Sequence, residues 1–326
     1  MKTLVSNFAD QLKEAIRIGE QAEFSRAKRI SSVFISGLGG SGIGGTIVSE
    51  LTALEASVPI TVGKGYFIPK FVNENTLVII SSYSGNTEET LNCLNQALKR
   101  KSKIVCITSG GKVAEIAKKK KLDIVTIPGG NPPRACLGYS FTQLLFTLAW
   151  FKIIKPKFKI QLRAAIELIE SEEQNILAEA KEVTEKIFGK TPMIYATTYW
   201  EGVAIRFRQQ INENAKMLCG HHVIPEMNHN ELVGWASGSE RIAVIIFRDR
   251  DEFERNNSRI EINKEVIRKY TPNITEIWSK GKSQIEKAIY FIHLGDWISV
   301  LLADKRGVDA VEVKVIDMLK GKLSEI

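Results

Sequence analysis

Apolar residues follow two rhythms along this chain. Short unbroken runs such as LVII and KIVCI alternate with longer stretches in which apolar positions recur every three or four residues. The runs suit strands buried on both faces, and the stretches suit helices packed against them. In the first half, a strand over Ser32–Ser36 meets a glycine-rich loop and a predicted helix from Ile43 to about Ala53. Strands over Pro59–Val62 and Thr76–Ser81 follow, then a hydroxyl-rich turn, a helix over Glu88–Lys99, the strand KIVCIT, a short helix through Ala117 and the strand DIVTIP. A linking region from Pro132 to about Lys190 holds the apolar helix FTQLLFTLAWF, a break at KPKFK and one long charged helix, LRAAIELIESEEQNILAEAKEVTEKIFG. The alternation then returns. MIYATT, IAVIIF and ITEIWS read as strands, separated and followed by the helices GVAIRFRQQINENAK, EFERNNSRIEINKEVIRK and SQIEKAIYFIHLGDWISVLLADK. Strands alternating with helices predict an α/β protein of two similar domains, each a doubly wound, mostly parallel sheet flanked by helices. The boundary is expected between residues 152 and 153, giving domains 1–152 and 153–326.

Composition narrows the class. With 326 residues, 44% hydrophobic and 25% charged, the chain excludes wholesale disorder and is long enough for two cores. The longest apolar-rich run, Phe141 to Ile154, contains Thr142, Gln143, Thr147 and Lys152, too short and too polar to cross a bilayer. The N-terminal residues show no continuous apolar segment of the signal-peptide kind. Cys93, Cys106, Cys136 and Cys219 have no CxxC spacing and read as reduced thiols of a cytoplasmic protein. The net charge of +8 raises nucleic-acid binding first. The basic runs Lys99–Lys103 and Lys118–Lys121 lie at predicted helix ends with no aromatic residues among them, so they read as solvated faces, with no nucleic-acid or membrane partner.

Two loops carry candidate chemistry. ISGLGGSGIGG satisfies GxGxxG after a strand, which raises a dinucleotide fold. That fold needs an acid at the end of the next strand to hold the ribose, and Lys64 stands there. Tight strand-to-helix packing explains the glycines equally well. LVIISSYSGNTEET points further. Ser82, Ser84 and Thr87 surround Gly85 where a buried strand runs into a helix, and hydroxyls with free amides at a helix N-terminus form an anion site. The missing GxxxxGK[ST] lysine favours a phosphate monoester over a nucleoside triphosphate. The plainer reading is an N-cap with turn residues, which accounts for Thr87 and Gly85 but not for three hydroxyls together.

GLGGSGIGG with SSYSGNTEET resembles the sugar isomerase domain, a phosphosugar-binding α/β module. NENAK (Asn212–Lys216), PEMNHNE (Pro225–Glu231) and IDMLK (Ile316–Lys320) narrow the resemblance to the bifunctional phosphoglucose/phosphomannose isomerases, over nearly the whole chain. The resemblance implies two sugar isomerase domains, a homodimer, and catalysis with no metal or other cofactor. It also implies reversible aldose–ketose isomerisation of hexose 6-phosphates through a cis-enediolate. In that scheme Gly40, Ser41, Ser82, Ser84 and Thr87 hold the phosphate. Glu213 is the base, Arg134 faces the enediolate, and His229 with Lys320 opens the sugar ring, His229 being contributed across the subunit interface.

The residues read on their own add to this. The loop after IAVIIF is RDRDEF, so only the first domain can hold phosphate through hydroxyls. Glu213 sits near Arg206, Arg208 and Lys216, whose charges would keep it ionised, and Glu201, Ile205, Gln209 and Glu213 share a helical face expected to be buried. Its plain alternative is a surface carboxylate. HHVIPEMNH offers His222, Glu226 and His229 as metal ligands, although a proline interrupts them and no HExxH helix is present. Arg134 is alternatively a phosphate contact or a partner in a surface ion pair, and Lys320 a residue of a fraying terminal helix. One departure stands out: the family commonly reads GVDPTPV where this chain reads GVDAVEV (Gly307–Val313). The threonine linked to handling both epimers is expected to fall on Val313, with Thr271 a hydroxyl that could fill the same space. Glucose 6-phosphate is then the safer substrate. The rival reading from another class is a non-catalytic phosphosugar sensor, which would carry a DNA-binding domain that this chain does not predict.

Overall fold

The computed structural model describes residues 1–27, 29–323 and 325. Two compact units divide the chain. The first holds Ser6–Ser171 and Lys280–Tyr290; the second holds Met1–Val5, Glu172–Ser279 and Phe291–Ile326. They are called the N-terminal and C-terminal units below.

Helices α1 (Lys2–Ser6) and α2 (Phe8–Gln21) precede β1 (Ser32–Ser36), α3 (Gly39–Leu51), β2 (Ile60–Gly63), β3 (Thr76–Ser81), α4 (Glu88–Lys99), β4 (Lys103–Thr108), α5 (Gly111–Lys120) and β5 (Asp123–Thr126). The five strands form one sheet in the order β2-β1-β3-β4-β5, and every pairing is parallel. All six residues of β3 are buried, as its unbroken apolar run requires. Helices α6 (Leu137–Trp150) and α7 (Phe158–Ser171) follow. Nearly all of α6 is buried, which is why its sequence is apolar on every side.

In the C-terminal unit, α8 (Glu173–Ile187), β6 (Thr191–Thr197), α9 (Glu201–Ala215), β7 (Gly220–Ile224), the single turn α10 (Glu231–Gly234), β8 (Ile242–Arg248), α11 (Glu254–Ile267) and β9 (Ile274–Trp278) lead to α12 (Gln284–Arg306) and α13 (Lys314–Leu323). Its parallel sheet has the order β7-β6-β8-β9. The α/β class with two parallel sheets is as expected. Among the described residues no helix is long and apolar enough to cross a membrane.

Three local expectations are corrected. The long charged helix is two helices, parted at Glu172 with φ −96° and ψ 6°. The apolar stripe of α7 (Phe158, Leu162, Ala165, Ile166, Ile169) lies in one unit and that of α8 (Ile176, Ala180, Val183, Ile187) in the other, so one straight helix would have to serve two cores. Helix α3 begins at Gly39 rather than Ile43, because close packing overrides the low helix propensity of glycine. A Cβ on Gly42 would lie 2.3 Å from the Gly37 carbonyl oxygen, and one on Gly40 2.9 Å from the Pro133 carbonyl. GHHVI is the edge strand β7, which the periodicity did not reveal.

Candidate active site

Strands β1 and β3 are neighbours, yet the chain leaves one toward β2 and the other toward β4. The sheet order therefore reverses between them, and the crevice beyond their carboxyl ends is where open α/β sheets bind ligands. Both loops singled out in the sequence leave from this point: Gly37–Gly42 after β1, and Ser82–Thr87 after β3. Ser41 joins them, since its Oγ accepts the Tyr83 N–H at 2.9 Å and its carbonyl accepts the Ser81 hydroxyl at 3.3 Å. Ser82 is buried and donates its hydroxyl to Thr87 Oγ1 at 3.3 Å. Thr87 is the N-cap of α4 but makes no side-chain cap hydrogen bond, so the plain capping reading of its hydroxyl does not hold. Ser84 is exposed at the loop tip, where its Oγ accepts the Asn86 N–H at 3.3 Å.

The loop is braced from β4. Ser109 Oγ donates to the Tyr83 carbonyl at 2.7 Å, and the Ser109 N–H reaches the same oxygen at 3.0 Å. The Tyr83 hydroxyl accepts the Asn131 N–H at 3.1 Å, and burial pushes its pKa up to about 12. It stays a neutral strut. Gly85 has φ +68°, and a Cβ there would sit 1.8 Å from the Gly110 carbonyl oxygen, so only glycine fits. Arg134 lies in the turn Pro133–Ala135 and is only 4% exposed, which removes the surface ion pair as its explanation. The close approach of Gly40 to Pro133 and Arg134 sets this turn against the first turn of α3. Tyr83, Ser109 and Asn131 were not legible as parts of the site, because their contacts join segments 26 to 48 residues apart.

The corresponding reversal in the C-terminal unit lies between β6 and β8. There the Thr197 hydroxyl donates to the Glu252 carboxylate, and the Ser279 hydroxyl meets Asp249 Oδ1 at 3.1 Å. The hydroxyls at this crevice are taken up by carboxylates, unlike those of the loop after β3.

Helix α9 carries Glu213 in its last turn. Arg206, Gln210 and Asn214 form one buried stripe on it. Arg206 pairs with Asp296 at 2.6 Å, Gln210 donates to the same carboxylate at 2.8 Å, and Asn214 donates to Ser299 Oγ at 2.9 Å. These bonds set the rotation of α9 against α12. They also commit Arg206 to Asp296, so it is not a free cation for Glu213. The face expected to be buried, Glu201, Ile205, Gln209 and Glu213, is half-buried along its length. Glu213 lines a cleft of about 430 Å³ with Asn212, Lys216, Met217, Glu312 and Val313.

His229 and Lys320 are not among the residues lining that cleft. His229 is exposed at the end of the turn Glu226–His229, and Lys320 is exposed in α13. His222 lies in β7, where its Nδ1 accepts the Val223 N–H at 2.7 Å, while Glu226 is exposed on the turn beyond. Among the described residues no three His, Cys, Asp or Glu side chains gather as a metal site. Thr271 is buried and donates to the Ile242 carbonyl at 2.9 Å, so its hydroxyl is not available to substitute for the missing family threonine. Position-by-position reading of GVDPTPV against GVDAVEV corrects the threonine's place as well: it falls on Val311, with Ala310 and Glu312 where the prolines stand. Val313 keeps the family residue, and it is Val313 that lines the cleft.

A parallel sheet with a hydroxyl loop at its reversal point, in the first of two such units, defines a sugar isomerase (SIS) domain protein. The SIS domain model matches residues 68–149, and the model described as the bacterial phospho-glucose isomerase C-terminal SIS domain matches 176–323. The chain belongs to the bifunctional phosphoglucose/phosphomannose isomerase family. It is 38% identical to the protein of that name from Caldicellulosiruptor bescii, over 99% of this chain and 98% of the relative. A relative from Sulfolobus acidocaldarius, named D-glucosamine-6-phosphate 4-epimerase, is 30% identical over 97% of both chains. The fold is also that of the C-terminal domain of glucosamine-fructose-6-phosphate aminotransferase from Francisella tularensis, with a TM-score of 0.78, 15% identity, and coverage of 95% of this chain and 97% of that one.

Proposed function

We propose that this enzyme interconverts glucose 6-phosphate and fructose 6-phosphate, and mannose 6-phosphate more slowly, through a cis-enediolate. Hexose-phosphate isomerisation is the family's reaction. The observation that carries the reading here is the β3–α4 loop, in which the N-cap Thr87 leaves the α4 amides uncapped and turns its hydroxyl to Ser82. Open amides, hydroxyls and the helix dipole together suit a phosphate monoester. Ser41, Ser82, Ser84 and Thr87 bind it, with Gly40 allowing the close approach. Anchoring the phosphate end positions the distant reacting carbons, which is a large share of such catalysis.

In the proposed chemistry His229 and Lys320 move protons at the ring oxygen and the anomeric hydroxyl. Glu213 then takes the C2 proton and returns it to C1, while Arg134 stabilises the negative charge of the enediolate. The working form is a homodimer in which the exposed His229 of one copy completes the site of the other. A coupled assay with glucose 6-phosphate and mannose 6-phosphate side by side tests the reading; no turnover of either sugar overturns it.

Two expectations follow at the bench. Activity should survive EDTA and need no added cation or nicotinamide. Loss on chelation, restored by zinc, would return His222, Glu226 and His229 to consideration as ligands. On substrate range, fructose 6-phosphate should partition toward glucose 6-phosphate, because Val311 lacks the hydroxyl of the family threonine. One neutral hydrogen bond is worth about 0.5–1.5 kcal/mol, so Val311→Thr should raise the mannose 6-phosphate rate by up to about tenfold, with little change for glucose 6-phosphate. Equal rates on both epimers in the unaltered enzyme would show that hydroxyl to be dispensable.

A further inference from the structure

Lys216 ends α9 in the left-handed conformation, φ 54° and ψ 40°, a place where glycine is the usual residue. Its side chain explains its presence there. The ammonium donates to the backbone carbonyls of Glu213 at 2.7 Å, Asp309 at 2.7 Å and Glu312 at 2.8 Å. The first belongs to the helix that carries the candidate base. The other two lie 93 and 96 residues on, in the segment between α12 and α13. Within that segment the Asp309 carboxylate takes the Val311 N–H at 2.7 Å, and the Glu312 carboxylate takes the Lys314 N–H. Asn212 adds a parallel bond on the α9 side, from Nδ2 to the Met217 carbonyl at 2.6 Å.

We propose that Lys216 is a positioning residue: its ammonium latches the 309–313 arm to the end of α9 and so builds the wall of the cleft opposite Glu213. The cleft is lined from both sides of this latch, by Asn212, Glu213 and Met217 on one and by Glu312, Val313 and Ile316 on the other. A carbonyl accepts hydrogen bonds but cannot donate one to a second carbonyl, so a donor is needed between the two segments. Lysine supplies three donors from one nitrogen. The strained backbone at residue 216 is kept because glycine there would relax the helix end but leave the arm untied. The inference deepens the isomerase reading and rests on it only for its kinetic test.

Two variants separate a latch from a helix cap. Lys216→Met and Lys216→Gly both remove the ammonium, and only Lys216→Gly relieves the left-handed strain. A cap role predicts that glycine restores function while methionine does not. A latch predicts that both lose kcat for fructose 6-phosphate by about 10- to 100-fold, the cost of a cleft wall displaced by around an ångström. It predicts as well that amides of residues 309–316 exchange hydrogen faster in both variants, by at least about tenfold, since hydrogen bonds to a charged donor are among the stronger ones. Strands β6 and β8 should keep their protection, which shows that the unit remains folded. Native turnover in Lys216→Gly, or unchanged exchange over 309–316, overturns the proposal. Should the unaltered enzyme turn over neither hexose phosphate, the exchange measurement still decides the latch while the isomerase reading fails.

Discussion

Glu213→Gln is expected to lose about 10²- to 10⁴-fold in isomerase turnover while binding fructose 6-phosphate almost as tightly as before. The glutamine keeps the shape of the side chain and the bonds that set α9, since those run through Arg206, Gln210 and Asn214 to α12. In the proposed mechanism, what it removes is the carboxylate that carries a proton between C2 and C1. Affinity should persist because the proposed phosphate contacts, Ser41, Ser82, Ser84 and Thr87, are left unchanged by the substitution. The cleft also presents a second carboxylate, Glu312, engaged by the Lys314 N–H. Glu312→Gln is therefore the matching control, with turnover falling far less than in Glu213→Gln. The two rates are read in one coupled assay, and binding by calorimetry with the slow variant. Turnover lost in Glu312→Gln and kept in Glu213→Gln would move the base to the arm; near-native rates in both would remove a cleft carboxylate from the chemistry.

Gly85→Ala should be the most damaging single methyl group in the phosphate loop. The position has φ +68°, which costs a non-glycine residue roughly 1–3 kcal/mol wherever it occurs. The new Cβ would also sit 1.8 Å from the Gly110 carbonyl oxygen, a backbone atom that cannot swing aside. Relieving the overlap means shifting the loop or the start of α5, at a further cost of about 1–3 kcal/mol. The expected loss of stability is thus about 2–6 kcal/mol by chemical denaturation, with KM for the sugar phosphate rising because Ser82, Ser84 and Thr87 lose their setting. Gly65→Ala serves as the comparison, since nothing lies within 4 Å of a Cβ there. Matching stability and KM in the two variants would show that the loop does not depend on this close approach.

Much of the first half was legible in the amino-acid sequence because its determinants are local. The strands 76–81 and 103–108 and the helix 88–99 fall where the apolar rhythm and Thr87 set them. The hydroxyls of Ser82, Ser84 and Thr87 lie within six residues of chain, so their meeting needs only the strand-to-helix turn. The glycine loop left close packing and ligand binding both open in the sequence, and the packing is now visible: a Cβ on Gly42 or Gly40 would lie 2.3 to 2.9 Å from a backbone carbonyl oxygen. The break at Glu172 escaped notice, because the charged stretch on either side is equally good helix and only the division into two units separates the stripes.

By itself the chain determined its alternation of strands and helices, the phosphate-type turn after β3 and the absence of such a turn after β8, since each depends on neighbours a few residues apart. Which strands lie side by side was a tertiary decision, and it alone puts the loops after β1 and β3 at the reversal of the sheet. The same holds for the C-terminal unit. That Arg206 serves Asp296, that Glu213 faces a cleft from a half-buried helix edge, and that Lys216 reaches Asp309 and Glu312 all depend on contacts between residues 86 to 96 positions apart. Charge and periodicity report on which side chains are present, whereas the partner of a buried ion is selected by whichever surface packs against it, and that surface exists only once the helices have docked.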